Sequence, residues 1–160
     1  MYESGKGIEK DLQKAKELYK KASEKGNIHA TYNLARLTET ADKEHKEMDK
    51  VISLYEMSAK KNHKESLKRL GNIYGDGTGI PQRDIKKAIE YYEKAIKLGC
   101  DDSLYFLAEI YELGTDVPQD IPKAIFYYQK GVEKGDLSSM NYYGKILIDG
   151  RGGTEKNIQK

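Results

Sequence analysis

One sequence pattern recurs along this chain every 36 or 37 residues, and this period constrains the fold more than any single motif does. Asp84 recurs as Asp120 and Gly99 recurs as Gly135, each pair 36 positions apart. Self-similarity at a period of roughly 20–50 residues is the signature of stacked structural repeats. Because one such unit cannot bury its apolar face alone, neighbouring units must bury it for one another. The sequence therefore predicts an array of repeats.

Each repeat contains two segments whose small and apolar residues recur at helical spacing. In the third repeat the first segment supplies Ser66, Leu70, Gly71 and Tyr74, and the second supplies Ala88, Tyr91, Tyr92, Ala95 and Ile96. Asp84 and Asp120 precede second segments, where a carboxylate can cap a helix N-terminus. Gly99 and Gly135 follow them, where a left-handed residue can end the helix. Each unit is therefore predicted to be helix, loop, helix and turn.

A column of small residues runs through the first helices. It consists of Ala35, Gly71, Ala108 and Gly144. We interpret it as the place where two antiparallel helices cross closely and leave no room for a larger side chain. Leu70 lies on the apolar stripe beside this column and is expected in the core.

The loop between the two helices carries a recognisable motif. Residues 77–88 read GTGIPQRDIKKA, residues 70–74 before them read LGNIY, and residues 114–124 read GTDVPQDIPKA. Together these segments resemble the signature of Sel1-like repeats, relatives of the tetratricopeptide repeats. Tetratricopeptide repeats have a period of about 34 residues and lack this glycine-bearing loop. The resemblance implies an all-α, right-handed α-solenoid of helix-turn-helix units that serves as a protein-binding scaffold.

We predict a single array over residues 1–160, with about three full repeats and partial repeats at both ends. The approximate units are 1–27, 28–63, 64–100, 101–136 and 137–160. The second unit departs from the pattern, because residues 38–48 contain no glycine. We expect a longer first helix there, followed by a less ordered corner. Neither end of the array shows a distinct polar cap, so end-to-end self-association is an open alternative.

Composition narrows the classes of partner. With 28 basic and 26 acidic residues the net charge is +2, which argues against nucleic acid. No apolar run is long enough to span a bilayer, so direct membrane insertion is not expected. No signal peptide is visible at the start, which favours a cytoplasmic location. A protein or peptide partner remains.

Candidate catalytic and metal-binding residues are sparse. His29, His45 and His63 belong to different units at spacings that match no metal motif, so no metal, cofactor or enzymatic activity is expected. The alternative is a hydrolase like the cysteine-rich Sel1-like proteins, for which β-lactamase activity has been proposed. Those proteins carry a cysteine pair in each repeat, whereas Cys100 is the one cysteine here.

The faces of the first helices opposite the apolar stripe are predicted to line up on the concave side of the array. This set mixes aromatic, amide and charged side chains, as binding surfaces do. Its members are Tyr32, Asn33, Arg36, Lys68, Arg69, Asn72, Tyr105, Phe106, Glu109, Asn141, Tyr142 and Lys145. Four are expected donors to a partner's carboxylate or carbonyl groups: Asn33, Arg36, Arg69 and Asn72. Tyr105, Phe106 and Tyr142 are expected aromatic anchors, although Phe106 and Tyr142 could equally pack against the next unit. Reversing the charge of Arg69 is expected to leave stability nearly unchanged.

Overall fold

The computed structural model describes residues 11–151, and every regular element in that range is an α-helix. Residues 1–10 and 152–160, which include the outer parts of the two predicted partial repeats, lie outside the described residues. Within the described range there are eight helices: α1 (Leu12–Glu24), α2 (Ile28–Ala41), α3 (Met48–Ala59), α4 (Lys64–Asp76), α5 (Ile85–Lys97), α6 (Ser103–Leu113), α7 (Ile121–Glu133) and α8 (Leu137–Asp149). The even-numbered helices are the first helices of the repeats, and the odd-numbered ones are the second helices. The predicted all-helical fold class is confirmed.

The predicted helix ends are also confirmed. Asp84 accepts a hydrogen bond from the backbone N–H of Lys87 at 3.0 Å, and Asp120 accepts one from Lys123 at 2.9 Å. Each carboxylate thus satisfies an N–H group that the first helical turn leaves unpaired. Gly99 and Gly135 have φ angles of +78° and +80°, a left-handed conformation that L side chains adopt at a cost.

The chain divides into two compact units, one ending at Arg83 and the other beginning at Asp84. In the first unit α1 packs against α2, α2 against α3, and α3 against α4. Leu34, Val51, Tyr55 and Leu70 are buried between these helices. The core of this unit is therefore shared between repeats, as the pattern requires.

The second unit repeats this arrangement with α5, α6, α7 and α8. Ala108, Ala124, Tyr128 and Ile146 form its buried cluster. Half-buried tyrosines pack around that cluster: Tyr105, Tyr111, Tyr127, Tyr142 and Tyr143. Tyrosine is thus the chief large filler in a chain that has no tryptophan.

The small residues lie where neighbouring helices approach closely. Ala35 and Ala108 are fully buried, and Gly71 is buried as well, which agrees with the predicted crossing. The prediction was wrong for Gly144, because a Cβ atom there would meet no heavy atom within 4 Å. At the contact of α7 and α8 a Cβ atom on Gly131 would lie only 2.1 Å from the Ser139 hydroxyl oxygen, so this second position also requires a small residue.

The glycine-free second repeat keeps the helix pair but turns its corner differently. Its first helix, α2, has 14 residues, compared with 13 in α4 and 11 in α6, as expected from the missing glycines. The Asp42 carboxylate then accepts the backbone N–H of Glu47 at 2.5 Å. This hydrogen bond is the main reason that the pKa of Asp42 is lowered. An aspartate therefore organises a turn where the next two repeats have the left-handed glycines Gly77 and Gly114.

The first prediction concerns the shared core. Leu70 is fully buried, so Leu70→Ala should lower the free energy of unfolding by about 2–5 kcal/mol through lost burial and an unfilled cavity. Leu113→Ala is the control, because Leu113 is 64% exposed. Urea denaturation of both variants measures the difference. Equal midpoints would show that Leu70 is not a core residue.

Candidate binding surface on the first helices

The twelve residues predicted to form a binding surface are referred to below as the first-helix surface. None of them is fully buried: Asn141 and Lys145 are exposed, and the other ten are half-buried. Six lie in the first unit, on α2 and α4, and six lie in the second unit, on α6 and α8. The two halves are described separately.

In the first unit the surface centres on Arg69. Its guanidinium group is hydrogen-bonded to the side chain of Tyr32 and lies close to the Glu39 carboxylate. Partial burial opposes the charge on Arg69, but the combined interactions with Glu39, Tyr55 and Tyr32 outweigh this effect and raise the pKa of the guanidinium. Arg69 therefore already has an acidic partner within the chain, so reversing its charge would set it against the Glu39 carboxylate.

Glu39 joins Arg69 to the core beneath. The hydroxyl of the fully buried Tyr55 donates to Glu39 Oε2 at 2.6 Å. Burial, followed by this hydrogen bond, raises the pKa of Tyr55. The carboxylate therefore satisfies a tyrosine hydroxyl that would otherwise be desolvated without a partner.

The second unit contains the same pair at the same two positions of the repeat. Tyr128 donates to Glu112 Oε2 at 2.7 Å, and Arg151 supplies the cation at 2.8 Å from the other carboxylate oxygen. Sequence reasoning identified the tyrosine column but missed its glutamate. The glutamate could have been found in the sequence, because Glu39 and Glu112 occupy the same position of the repeat. The repeat between them has Gly75 at that position, which interrupts the column.

In the second unit four aromatic rings form a continuous run. Phe106 stacks on Tyr92 with ring centroids 5.5 Å apart and only 6° between the ring planes. Tyr105 contacts Phe106 at 5.1 Å on one side and Tyr142 at 5.2 Å on the other. The three predicted anchors are therefore brought together, and each also packs within the unit. Phe106 and Tyr142 thus do pack against a neighbouring repeat, and their contact with a partner stays a prediction.

Polar groups border this aromatic run. The Tyr105 hydroxyl donates to Glu109 Oε1 at 2.8 Å and is also hydrogen-bonded to Tyr142. Lys145 lies 4.5 Å from the centre of the Tyr142 ring, within the range of a cation–π contact. The bond between Tyr105 and Tyr142 joins the same two repeat positions as the bond between Tyr32 and Arg69. Neighbouring first helices are thus linked at equivalent points in both units.

The remaining members of the predicted set lie on the same helices. Asn33 and Arg36 are on α2, Lys68 and Asn72 are on α4, and Asn141 is on α8. All but Asn141 are half-buried. The first unit thus adds amides and cations to the predicted set, and the second unit adds an amide.

A histidine pair lies beside Tyr32. The His63 ring is buried 4.7 Å from the Tyr32 ring, and its Nε2 lies 3.3 Å from Nδ1 of His29. His63 Nδ1 accepts the backbone N–H of Ser66 at 3.3 Å and so caps α4. Because burial disfavours the charged ring, the pKa of His63 is lowered, although Glu65 at 3.6 Å opposes this effect.

Metal-binding clusters and membrane-spanning helices are both absent between residues 11 and 151. Within that range no three histidine, cysteine, aspartate or glutamate side chains are grouped so that they could hold a metal ion. None of the helices in the same range has the length and the apolar character needed to cross a bilayer.

Comparison with known proteins identifies the family. The model of the Sel1 repeat matches residues 1–27, 64–100, 101–136 and 137–160. The chain belongs to the Sel1 repeat family. Residues 28–63, which lie outside these matches, contain the glycine-free corner, yet they still form the helix pair α2 and α3. Loss of the loop motif therefore did not remove the repeat itself.

Solved structures of Sel1 repeat proteins share the fold. A Sel1 repeat protein from Oxalobacter formigenes is 30% identical with a TM-score of 0.85, over 95% of this chain and 62% of that one. A protective antigen of uropathogenic Escherichia coli with an SLR fold is 24% identical with a TM-score of 0.82, over 98% of this chain and 33% of that one.

A third similar structure is cysteine rich protein B of Helicobacter pylori, at 23% identity and a TM-score of 0.61, over 83% of this chain and 95% of that one. The Sel1 repeat chain therefore spans less than two thirds of the first two proteins. No curated protein matches the sequence significantly.

The second prediction concerns Arg69. Arg69→Glu would place two carboxylates together beside Tyr55, so we expect a loss of about 1–2 kcal/mol of stability, moderated by the partial exposure of the site. The matched test is a double-mutant cycle with Glu39→Gln, in which the cost of Arg69→Glu should shrink. Chemical denaturation measures all four proteins. Additive effects would contradict the pairing.

The third prediction concerns pH. Because the pKa of folded His63 lies below its ordinary value of 6.5, its stabilising effect is present above pH 6.5 and is lost as the pH falls through and below that value. His63→Asn should flatten this dependence and keep the cap, since Asn27 caps α2 from the same repeat position. Thermal melts between pH 8 and pH 5 compare the two proteins, at about one-unit steps across the histidine range. Parallel profiles would show that His63 does not contribute.

Proposed function

We propose that this Sel1 repeat protein is a non-enzymatic scaffold whose first-helix surface binds a peptide or protein partner. Sel1 repeat proteins generally mediate protein interactions, and the family is established here by its repeats. The observation that carries the proposal is the run of three half-buried rings on α6 and α8, which the buried Tyr92 of α5 supports and which Glu109 and Lys145 border.

Such a run suits binding because its rings are already held in place. Phe106, Tyr105 and Tyr142 support one another, so a partner would not have to pay the entropy of ordering them. Rigid aromatic side chains are over-represented among the residues that dominate binding energy. Glu109 and Lys145 add one charge of each sign at the edge, which can fix the orientation of a bound chain.

The two phenylalanines of the chain provide a matched experiment. Phe106 lies on the first-helix surface, whereas Phe126 lies on the second helix α7 with 49% of its surface exposed. We expect Phe106→Ala to weaken partner binding by about 2 kcal/mol, as at an interface hot spot, and Phe126→Ala to leave it unchanged. Melting curves of both variants check that each is folded.

The partner is to be trapped by a photo-reactive residue. Placed at the exposed position 141 on α8, it should form an adduct with a protein from the source cells, which mass spectrometry identifies. Placed at the exposed position 133 on α7, it should form none. Adducts at 133 alone, or a complex that survives Phe106→Ala but not Phe126→Ala, would assign binding to the second helices instead.

A further inference from the structure

A groove in the first unit lies between two second helices, α1 and α3, and α2 forms its floor. Its volume is about 500 Å³, which is within the usual range for sites that bind a ligand or a side chain. Leu34 is the floor, and Leu54 and Met57 line the α3 wall. Met57 is 50% exposed there, so an adaptable apolar side chain borders the opening.

The second unit carries larger apolar side chains at three equivalent positions. At the repeat positions of Lys16, Ser23 and Leu54 the second unit has Ile89, Ile96 and Tyr127, all half-buried. At each of these three positions the first unit therefore has a charged or smaller side chain where the second unit has a larger apolar one. Conversely, Met57 occupies the position where α7 has Lys130. Both units use the same helix pairs, so these exchanges set apart the side chains that line the groove from those at the same positions of the second unit.

The charges around the groove favour an acidic occupant. Lys16 and Lys20 lie one helical turn apart on α1, and Lys50 lies on α3. Lys50 is paired with Glu47 at 2.6 Å, and Glu17 of the α1 wall lies 3.9 Å from Lys14. Lys16 also lies near the Glu47 carboxylate, and Lys20 and Glu24 complete the α1 wall. Counted with Lys14 and Glu47, four lysines and three glutamates surround the groove, which leaves one net positive charge. A carboxylate brought to this wall would meet a net positive rim.

The acceptors on α1 favour a peptide. Gln13, Glu17 and Glu24 line the groove and can accept hydrogen bonds from backbone N–H groups. A fatty acid has apolar groups and a carboxylate but no N–H donors. A peptide segment can supply apolar side chains, a carboxylate and backbone N–H donors together.

We propose that the groove between α1 and α3 is a second docking site, which takes an apolar and acidic peptide segment of a partner protein. Side chains of leucine or methionine type lie on Leu34, Leu54 and Met57, and an aspartate or glutamate carboxylate pairs with Lys16 and Lys20. This site is separate from the first-helix surface and does not depend on it.

The chain itself supplies the variant that closes the groove. Lys16→Ile, Ser23→Ile and Leu54→Tyr together rebuild the filling of the second unit, using residues that already fold at these positions. This filled variant should melt at a higher temperature than the wild type, because apolar groups replace a partly solvated groove. The melting temperature also shows whether the filled variant is folded, so loss of binding through unfolding can be told from loss of the groove.

A display library of random ten-residue peptides is to be selected on the wild-type protein and counter-selected on the filled variant. We expect recovered peptides to combine leucine, methionine or phenylalanine with aspartate or glutamate. A recovered peptide should lose at least about tenfold in affinity on Lys16→Gln, as for one charged contact, and should bind Phe106→Ala as it binds the wild type.

Four outcomes would overturn the proposal: no peptide survives counter-selection, the survivors are basic, the filled variant binds them as the wild type does, or dodecanoate displaces them with equal or higher affinity. The last outcome would make the groove a fatty-acid site. Loss of peptide binding on Phe106→Ala alone would place these peptides on the first-helix surface, which would count for the proposed function and against this groove.

Discussion

The close approach of neighbouring helices depends on small residues at the points of contact. Where α3 meets α4, the Ser58 and Ser66 hydroxyl oxygens are 2.6 Å apart, and where α7 meets α8, Gly131 leaves no room for a Cβ atom beside Ser139. Ala35 and Ala108 are fully buried at the other recurring position. A protein interior is packed too densely to absorb extra atoms at such contacts. The leucine and tyrosine columns can fill the core only because these positions keep the helices together.

Much of the fold could be predicted from the sequence, because repetition reveals any feature that each unit needs. The caps at Asp84 and Asp120 and the left-handed Gly99 and Gly135 were visible for this reason. Gly144 belongs to the column of small residues but has open space beside it. A residue type shared by several repeats shows what most repeats need at that position and does not show what each repeat contacts there. Asp42 could not be predicted as the organiser of its corner, because its hydrogen bond replaces a glycine motif with different chemistry.

The candidate binding surface was predictable in position but not in its connections. The helical period placed Tyr32, Arg69, Tyr105 and Tyr142 on one face of their helices. It could not show that Glu39 lies under Arg69, because that contact depends on how one helix packs across another. A buried tyrosine hydroxyl needs an acceptor, and a carboxylate brought in to accept it then needs a cation. These requirements explain why Tyr55 is accompanied by Glu39 and Arg69. They also explain why Tyr128 is accompanied by Glu112 and Arg151.

Repeats of one chain also act as controls for one another. Where two units share the same helix pairs, a difference in side chains at one column cannot be attributed to the fold. Two differences in the groove are of this kind: the first unit has Lys16 where the second unit has isoleucine, and Met57 where the second unit has lysine. A third is His63, which caps its helix where other repeats use asparagine or aspartate. Lys16 buries less apolar surface at the groove than an isoleucine would, and His63 makes the start of α4 sensitive to protonation. Positions that depart from their own column at a cost in stability are therefore where a function specific to this protein is best sought.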